Sequence, residues 1–151
     1  MAILTLSGSL CAFFLNASAS AKCEQAETLI RFLRYVRNQV DFYALPASEI
    51  LHDCDEELFL GCGLYNVPKE MSFEWLASEC EIYDKECERI ARDFFNGFGK
   101  CYRDEQVREC ERCIAMLEDR RAVLFEQLPK KKKINNTVCI ASALCLGILL
   151  I

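Results

Sequence analysis

The chain has 151 residues, 52% of them apolar, with 23 acidic residues against 18 basic ones and a formal charge of -5. That length bounds it to one domain with appendages. Setting aside Lys22 and the lysines at 130–133 leaves 13 basic against 23 acidic residues, so the middle carries -10 and lacks the clustered Lys and Arg that nucleic-acid phosphates require.

Residues 2–21 form an uncharged run, ending in the small-residue stretch Ala17-Ser18-Ala19-Ser20-Ala21. A cleaved signal peptide is one reading of it, since that stretch resembles a cleavage site. No Lys or Arg precedes the run, however; the basic residues Lys22, Arg31, Arg34 and Arg37 all follow it. A second uncharged run, Ile134 to Ile151, has its lysines, Lys130 to Lys133, on the side of the middle domain as well. Its 18 residues reach ~27 Å as a helix, near the ~30 Å of bilayer hydrocarbon. Both ends therefore read as membrane anchors, and the positive-inside rule places the middle in the cytoplasm.

From Cys23 the spacing is helical. Ala26, Leu29, Leu33, Val36, Val40 and Tyr43 recur at steps of three and four, and Leu45-Pro46 ends that helix. A second helix is expected from Ala47 to about Phe59, burying Ile50, Leu51, Cys54 and Leu58, before a loop at Gly61-Cys62-Gly63 and Asn66-Val67-Pro68. Phe73, Leu76, Cys80, Tyr83, Cys87, Ile90 and Phe94 continue the three-four alternation as a third helix, with Ser72 as its N-cap and Asn96-Gly97-Phe98-Gly99 as its end. Val107, Cys110, Ile114, Leu117, Leu124 and Leu128, interrupted by Arg121, give a last stripe that needs a partner. The short connection makes an antiparallel hairpin of these two, with the first two helices laid against it. Pro129 is expected to form a joint before the C-terminal anchor.

Eleven cysteines would suggest a disulfide framework in a short secreted chain. The number is odd, Cys11, Cys139 and Cys145 sit in apolar runs, and others occupy helical stripes, so they read as reduced core residues. Cys110-Glu111-Arg112-Cys113 has the C-x-x-C form, but His52 is the sole histidine, and a structural zinc needs four ligands. Asp53-Cys54-Asp55-Glu56-Glu57 resembles the start of a calcium loop, yet Leu58 and Leu64 stand where its glycine and final glutamate belong. Gly61-x-Gly63 and Gly97-x-Gly99 lack the third glycine of a dinucleotide fingerprint. No nucleophile motif is present, so no catalytic, cofactor or metal residue is expected. What remains is a surface for partners: acidic faces suited to a basic cytoplasmic protein, and the small-residue pairs Gly8-x-x-x-Ala12 and Ala143-x-x-x-Gly147 for helix contacts, a homo-oligomer included.

The hydrophobic N-terminus, the first helix AETLIRFLRYVRNQVDFYALPASEI, the hairpin FFNGFGKCYRDEQVRECERCIAMLE and the tail LCLGILLI together resemble the stage III sporulation protein AB family of endospore-forming bacteria. The likeness covers nearly the whole chain. It is most specific at Arg31, Leu33, Val36, Val40, Leu45-Pro46 and Ile50, and again at Phe95, Gly99, Gln106 and Leu117-Glu118. The chain departs from the family pattern at Tyr102, where an Asp is usual, and at Cys110 and Cys113, which replace Leu or Ile. Its segment between the second and third helices is also shorter.

The resemblance implies similarity to the cytoplasmic helical domain of the type II secretion platform (F-type) protein. It also implies a place in the mother-cell membrane around the forespore, within a secretion-like channel complex. Its implied partners are a secretion-type ATPase and other membrane proteins of the same sporulation operon, with no small-molecule substrate. The expectation is thus an all-α protein: a small antiparallel bundle with a long helical hairpin, between hydrophobic membrane helices. Residues 1–22 would be the N-terminal anchor, 23–129 the cytoplasmic helical domain and 130–151 the lysine-flanked C-terminal anchor. A secreted or surface cysteine-rich helical protein is the alternative.

Overall fold

The computed structural model describes residues 2–65, 68 and 70–149, with side chains described from Phe13 onward and, in the last helix, through Ser142 and at Cys145. Among these residues the chain is all-helical: α1 (Ala2–Asn38), a π turn (Gln39–Tyr43), α2 (Ala47–His52), α3 (Glu56–Gly61), α4 (Phe73–Glu79), α5 (Lys85–Gly97) and α6 (Arg103–Leu149). They fall into two compact units, a body of residues 24–122 and a terminal unit of residues 1–23 and 123–151.

In the body, α1 follows its expected stripe. Ala26, Leu29, Leu33, Val36 and Val40 are buried, while Tyr43, the last expected member, is exposed. It lies in the π turn, which ends at Ala44 with φ 51. Pro46 then opens α2, its carbonyl accepting from the N–H groups of Glu49 and Ile50.

The second helix expected from sequence is two helices. The chain leaves helical geometry at Asp53, and the Asp55 carboxylate accepts from Glu57 N–H to begin α3. Aspartate forms such local bonds readily, which weakens it inside a helix and favours it at a cap. Ile50, Leu51 and Leu58 are buried as expected, but Cys54, at the break, is only half-buried.

The expected third helix also divides. Ser72 caps α4, as read from sequence, by accepting from Trp75 N–H at 3.1 Å. At Cys80 the backbone turns extended, and Asp84 restarts the helix by accepting from Cys87 N–H. A helix end leaves carbonyls and N–H groups that need partners, and two side chains supply them. Gln25 of α1 donates to Glu81 O and accepts from Tyr83 N–H, both at 2.7 Å. Arg92 of α5 donates to Ala77 O at 2.6 Å and to Cys80 O at 3.4 Å. Tyr83, placed by its spacing on the apolar stripe, is 52% exposed.

Six phenylalanines join the body's elements. Phe32 of α1 meets Phe59 of α3 and Phe95 of α5, each at a centroid distance of 6.0 Å. Phe73 of α4 meets Phe94, Phe95 and Phe98, the last at 4.2 Å. Cys62, Cys80, Cys87, Cys110 and Cys113 are buried in the body, and the ten described cysteines are all free thiols. They fill space as small apolar side chains do.

The α3–α4 loop begins with a glycine that the geometry requires. Gly63 has φ +77, and a Cβ there would stand 2.2 Å from Glu81 O, a backbone atom. Gly99 also has a left-handed φ, +83, but its Cβ would meet only Ala47 Cβ at an ordinary 3.6 Å. Gly99→Ala should therefore cost only the left-handed penalty of ~1 kcal/mol, and Gly63→Ala at least ~2 kcal/mol because a backbone must also move. Denaturant midpoints of the two variants check this; equal losses would contradict the clash.

On α6 the expected stripe holds. Cys110, Ile114, Leu117 and Leu124 are buried, joined by Cys113, with Val107 and Leu128 half-buried. The expected joint at Pro129 is not there, because α6 runs through the proline as one helix. Proline removes one N–H and crowds the carbonyl four residues earlier, which kinks a helix without ending it when the flanks are held. Here Leu124 and Cys139 are buried on either side. Among the described residues no helix is long and apolar enough to cross a membrane; much of both uncharged runs, including Leu150 and Ile151, lies outside the described side chains.

Candidate interaction surfaces

The residues singled out as possible chemistry are dispersed and occupied. His52 is exposed and meets the neighbouring Asp53 at 3.1 Å. Cys110 and Cys113 sit on the buried face of α6; burial pushes the Cys110 thiol up to about 12 and the Cys113 thiol to about 11. A thiol needs its thiolate form to attack or to bind metal, and near neutral pH these two stay protonated. Asp53 to Glu57 form the α2–α3 junction and the first turn of α3. Among the described residues no three His, Cys, Asp or Glu side chains group to hold a metal.

The frame of the body is built from paired charges. α1 and α6 run antiparallel, tied by Arg121 with Glu27, Arg34 with Glu118 at 2.5 Å, and Arg37 with Glu111 at 2.8 Å. Arg103 closes the series, donating to the carbonyls of Val40 and Asp41. Exposed pairs each contribute ~0–1 kcal/mol, so the ladder fixes register more than it stabilises. Arg34 and Arg37, read from sequence as charges facing a membrane, spend their guanidinium groups on this ladder.

Between α5 and α6 one pair is sheltered. Arg120 holds both oxygens of Asp84, at 2.9 and 2.8 Å, and the Asp84 side chain is 8% exposed. The guanidinium, ahead of the Cys87 N–H, draws the Asp84 carboxyl down to about 2.

The rest of the body's charge is not balanced. From residue 38 to residue 84 the chain holds 11 carboxylates against Lys69 alone, a net of -10. Asp41 and Asp84 are two of these and are paired with arginine. The other nine, Glu49, Asp53, Asp55, Glu56, Glu57, Glu70, Glu74, Glu79 and Glu81, are exposed, and none pairs with Lys or Arg among the described residues. The negative excess thus belongs to the α2–α3–α4 segment, while α1, α5 and α6 neutralise one another.

The terminal unit has the opposite character. Asn16 of α1 accepts from Asn135 Nδ2 at 3.2 Å and donates to Asn136 Oδ1 at 2.9 Å, joining the two helices by side-chain amides. Around these, Phe13, Phe14, Leu15, Ile134, Val138 and Ile140 are each at least half exposed. Phe13, Phe14 and Leu15 are consecutive, so the exposed apolar surface here spreads around α1 instead of following one stripe. The asparagines were legible as polar residues inside uncharged runs, but their pairing was not, since ~120 residues of chain separate them.

No family model matches the chain, and neither a curated protein nor a solved structure is significantly similar to it.

Proposed function

We propose that the protein is a non-enzymatic, membrane-anchored adaptor that presents its acidic helical segment to a basic partner. The observation that carries this is the segregation of charge: nine exposed carboxylates on α2–α4 and the loops around them with no Lys or Arg partner among the described residues, against a frame whose charges largely pair among themselves. A long-range field of one sign steers and holds an oppositely charged partner. The terminal unit, with its exposed apolar side chains and amide-joined helices, supports the anchor, because in lipid two helices associate through such polar contacts.

The finer reading comes from the resemblance to the stage III sporulation protein AB family. In it the anchors lie in the mother-cell membrane around the forespore, the body faces the cytoplasm, and the partner is the secretion-type ATPase of the same operon, together with its membrane proteins. Replacing Glu49, Glu56, Glu57 and Glu74 by Gln in the full chain should release that ATPase from the membrane while leaving the body folded. Unchanged retention of the ATPase contradicts the docking surface. Deleting the gene should stop sporulation at completion of engulfment; normal spores from the deletion strain contradict the sporulation role.

A further inference from the structure

The four lysines at 130–133 gain a defined shape from the continuity of α6. Because the helix passes through Pro129 without ending, Lys130, Lys131, Lys132 and Lys133 occupy successive helical positions ~100° apart and encircle the axis as a collar, spread over ~5 Å of its length. Lys130, Lys131 and Lys133 are exposed and Lys132 half-buried. Only one carboxylate, Glu126, lies in the terminal unit, and it meets Lys130 alone, at 3.5 Å.

Lys22 belongs to the same level. Asn16 of α1 meets Asn136 of α6, and the helices run in opposite directions. Six residues along α1 from Asn16 and six residues back along α6 from Asn136 are Lys22 and Lys130, each ~9 Å from the amide contact. Five positive charges therefore share one thin layer of the terminal unit. Immediately beyond it come the amides and the exposed apolar side chains of Phe13, Phe14, Leu15, Ile134, Val138 and Ile140.

We propose that this collar binds anionic phospholipid headgroups and so selects the lipid around the anchor. The inference rests on the membrane reading above and goes beyond it, since a bare anchor needs no lipid preference. The occupant follows from chemistry on the helix: apolar side chains on one side of the layer suit acyl chains, while compact ammonium groups at their edge suit phosphate oxygens. A collar also meets lipids on each side of α6 that α1 leaves open, where a single basic face would meet them on one.

The test uses the full chain reconstituted into phosphatidylcholine bilayers carrying a trace of spin-labelled lipid, either phosphatidylglycerol or phosphatidylcholine. The fraction of each probe immobilised at the protein should favour phosphatidylglycerol by ~5-fold at low salt. The preference should fall towards unity in ~1 M salt, where the screening length is ~3 Å. The variant K130Q/K131Q/K132Q/K133Q should lose the preference at all salt concentrations while keeping the wild-type helix content. Equal immobilisation of both probes by the wild type overturns the collar and leaves the anchor standing, as does a preference that survives the four substitutions. No immobilised component with either probe overturns the membrane reading, and the collar with it.

Discussion

Phe95→Ala should destabilise the body by ~4 kcal/mol, within the 3–5 kcal/mol range for emptying a core phenylalanine site. Phe95 is 1% exposed and contacts Phe32 of α1, Phe73 of α4 and Phe94 beside it, with centroids 5.9 to 6.2 Å away. Its ring is where three helices meet. Truncation removes the transfer energy of the ring and leaves a cavity whose walls are other aromatic rings on separate helices, which cannot all move in together. Phe95→Leu refills most of the volume and should cost less than half as much. Urea unfolding followed through Trp75, the only tryptophan, gives both values; a loss below ~1 kcal/mol for Phe95→Ala would show that the site collapses freely.

Asp84→Ala should cost ~3 kcal/mol, from two sources that a second substitution separates. The carboxylate caps α5 at Cys87 N–H and grips Arg120 with both oxygens. An N-cap contributes ~1 kcal/mol, and removing one partner of a sheltered ion pair strands the other charge, at ~2 kcal/mol for an arginine that keeps some solvent. Asp84→Asn retains an acceptor for the cap and loses only the charge, so its loss should be smaller.

The same carboxylate makes stability depend on pH. Its folded-state value is depressed from 3.8 to about 2, so its contribution is complete above pH ~4 and lost as pH falls through about 2. At ~1.4 kcal/mol per unit of depression this amounts to ~2 kcal/mol. Asp84→Asn should remove that part of the acid sensitivity. An unchanged acid limb in the variant would assign the sensitivity to other carboxylates.

The helical nature of the chain and most of its buried stripe could be read from spacing alone, because apolar residues three and four apart pack on one side whatever else happens. The breaks could not. Phe73 to Phe94 keep their alternation across Cys80–Asp84, where the chain is not helical, since the spacing survives when two helices both turn their apolar sides to one core. The signal that marks both breaks is an aspartate followed by acidic first-turn residues: Asp55 before Glu56 and Glu57, and Asp84 before Glu86 and Glu88. The three-four spacing runs across both and so hides two helix starts. Gln25 could not have been foreseen as the clamp of the second break, because its partners lie 56 and 58 residues away.

Partnership is harder to read. The spacing pairs the α6 stripe with the Phe73–Phe94 segment, yet the first half of α6 also pairs with α1 through Glu27, Arg34, Arg37 and Asp41, and of these Arg34 and Arg37 read in the sequence as part of a membrane flank. The concentration of acid between residues 38 and 84 was present in the sequence all along. It becomes a surface because Arg34, Arg89, Arg92, Arg112 and Arg121 are engaged with carboxylates of α1, α5 and α6 themselves.

The central claim is that the body is held at the cytoplasmic face of a membrane by the terminal unit. Cys101, exposed near the end of the α5–α6 connection, is a suitable reporter, whereas Cys62 is buried. Carbonate-washed membrane vesicles, right-side-out and inverted, would be treated with a membrane-impermeant maleimide and the modified cysteine located by mass spectrometry. The account predicts that the chain stays in the washed vesicles and that Cys101 is modified in the inverted ones alone. Loss of the chain on washing, or modification of Cys101 in right-side-out vesicles, would contradict it.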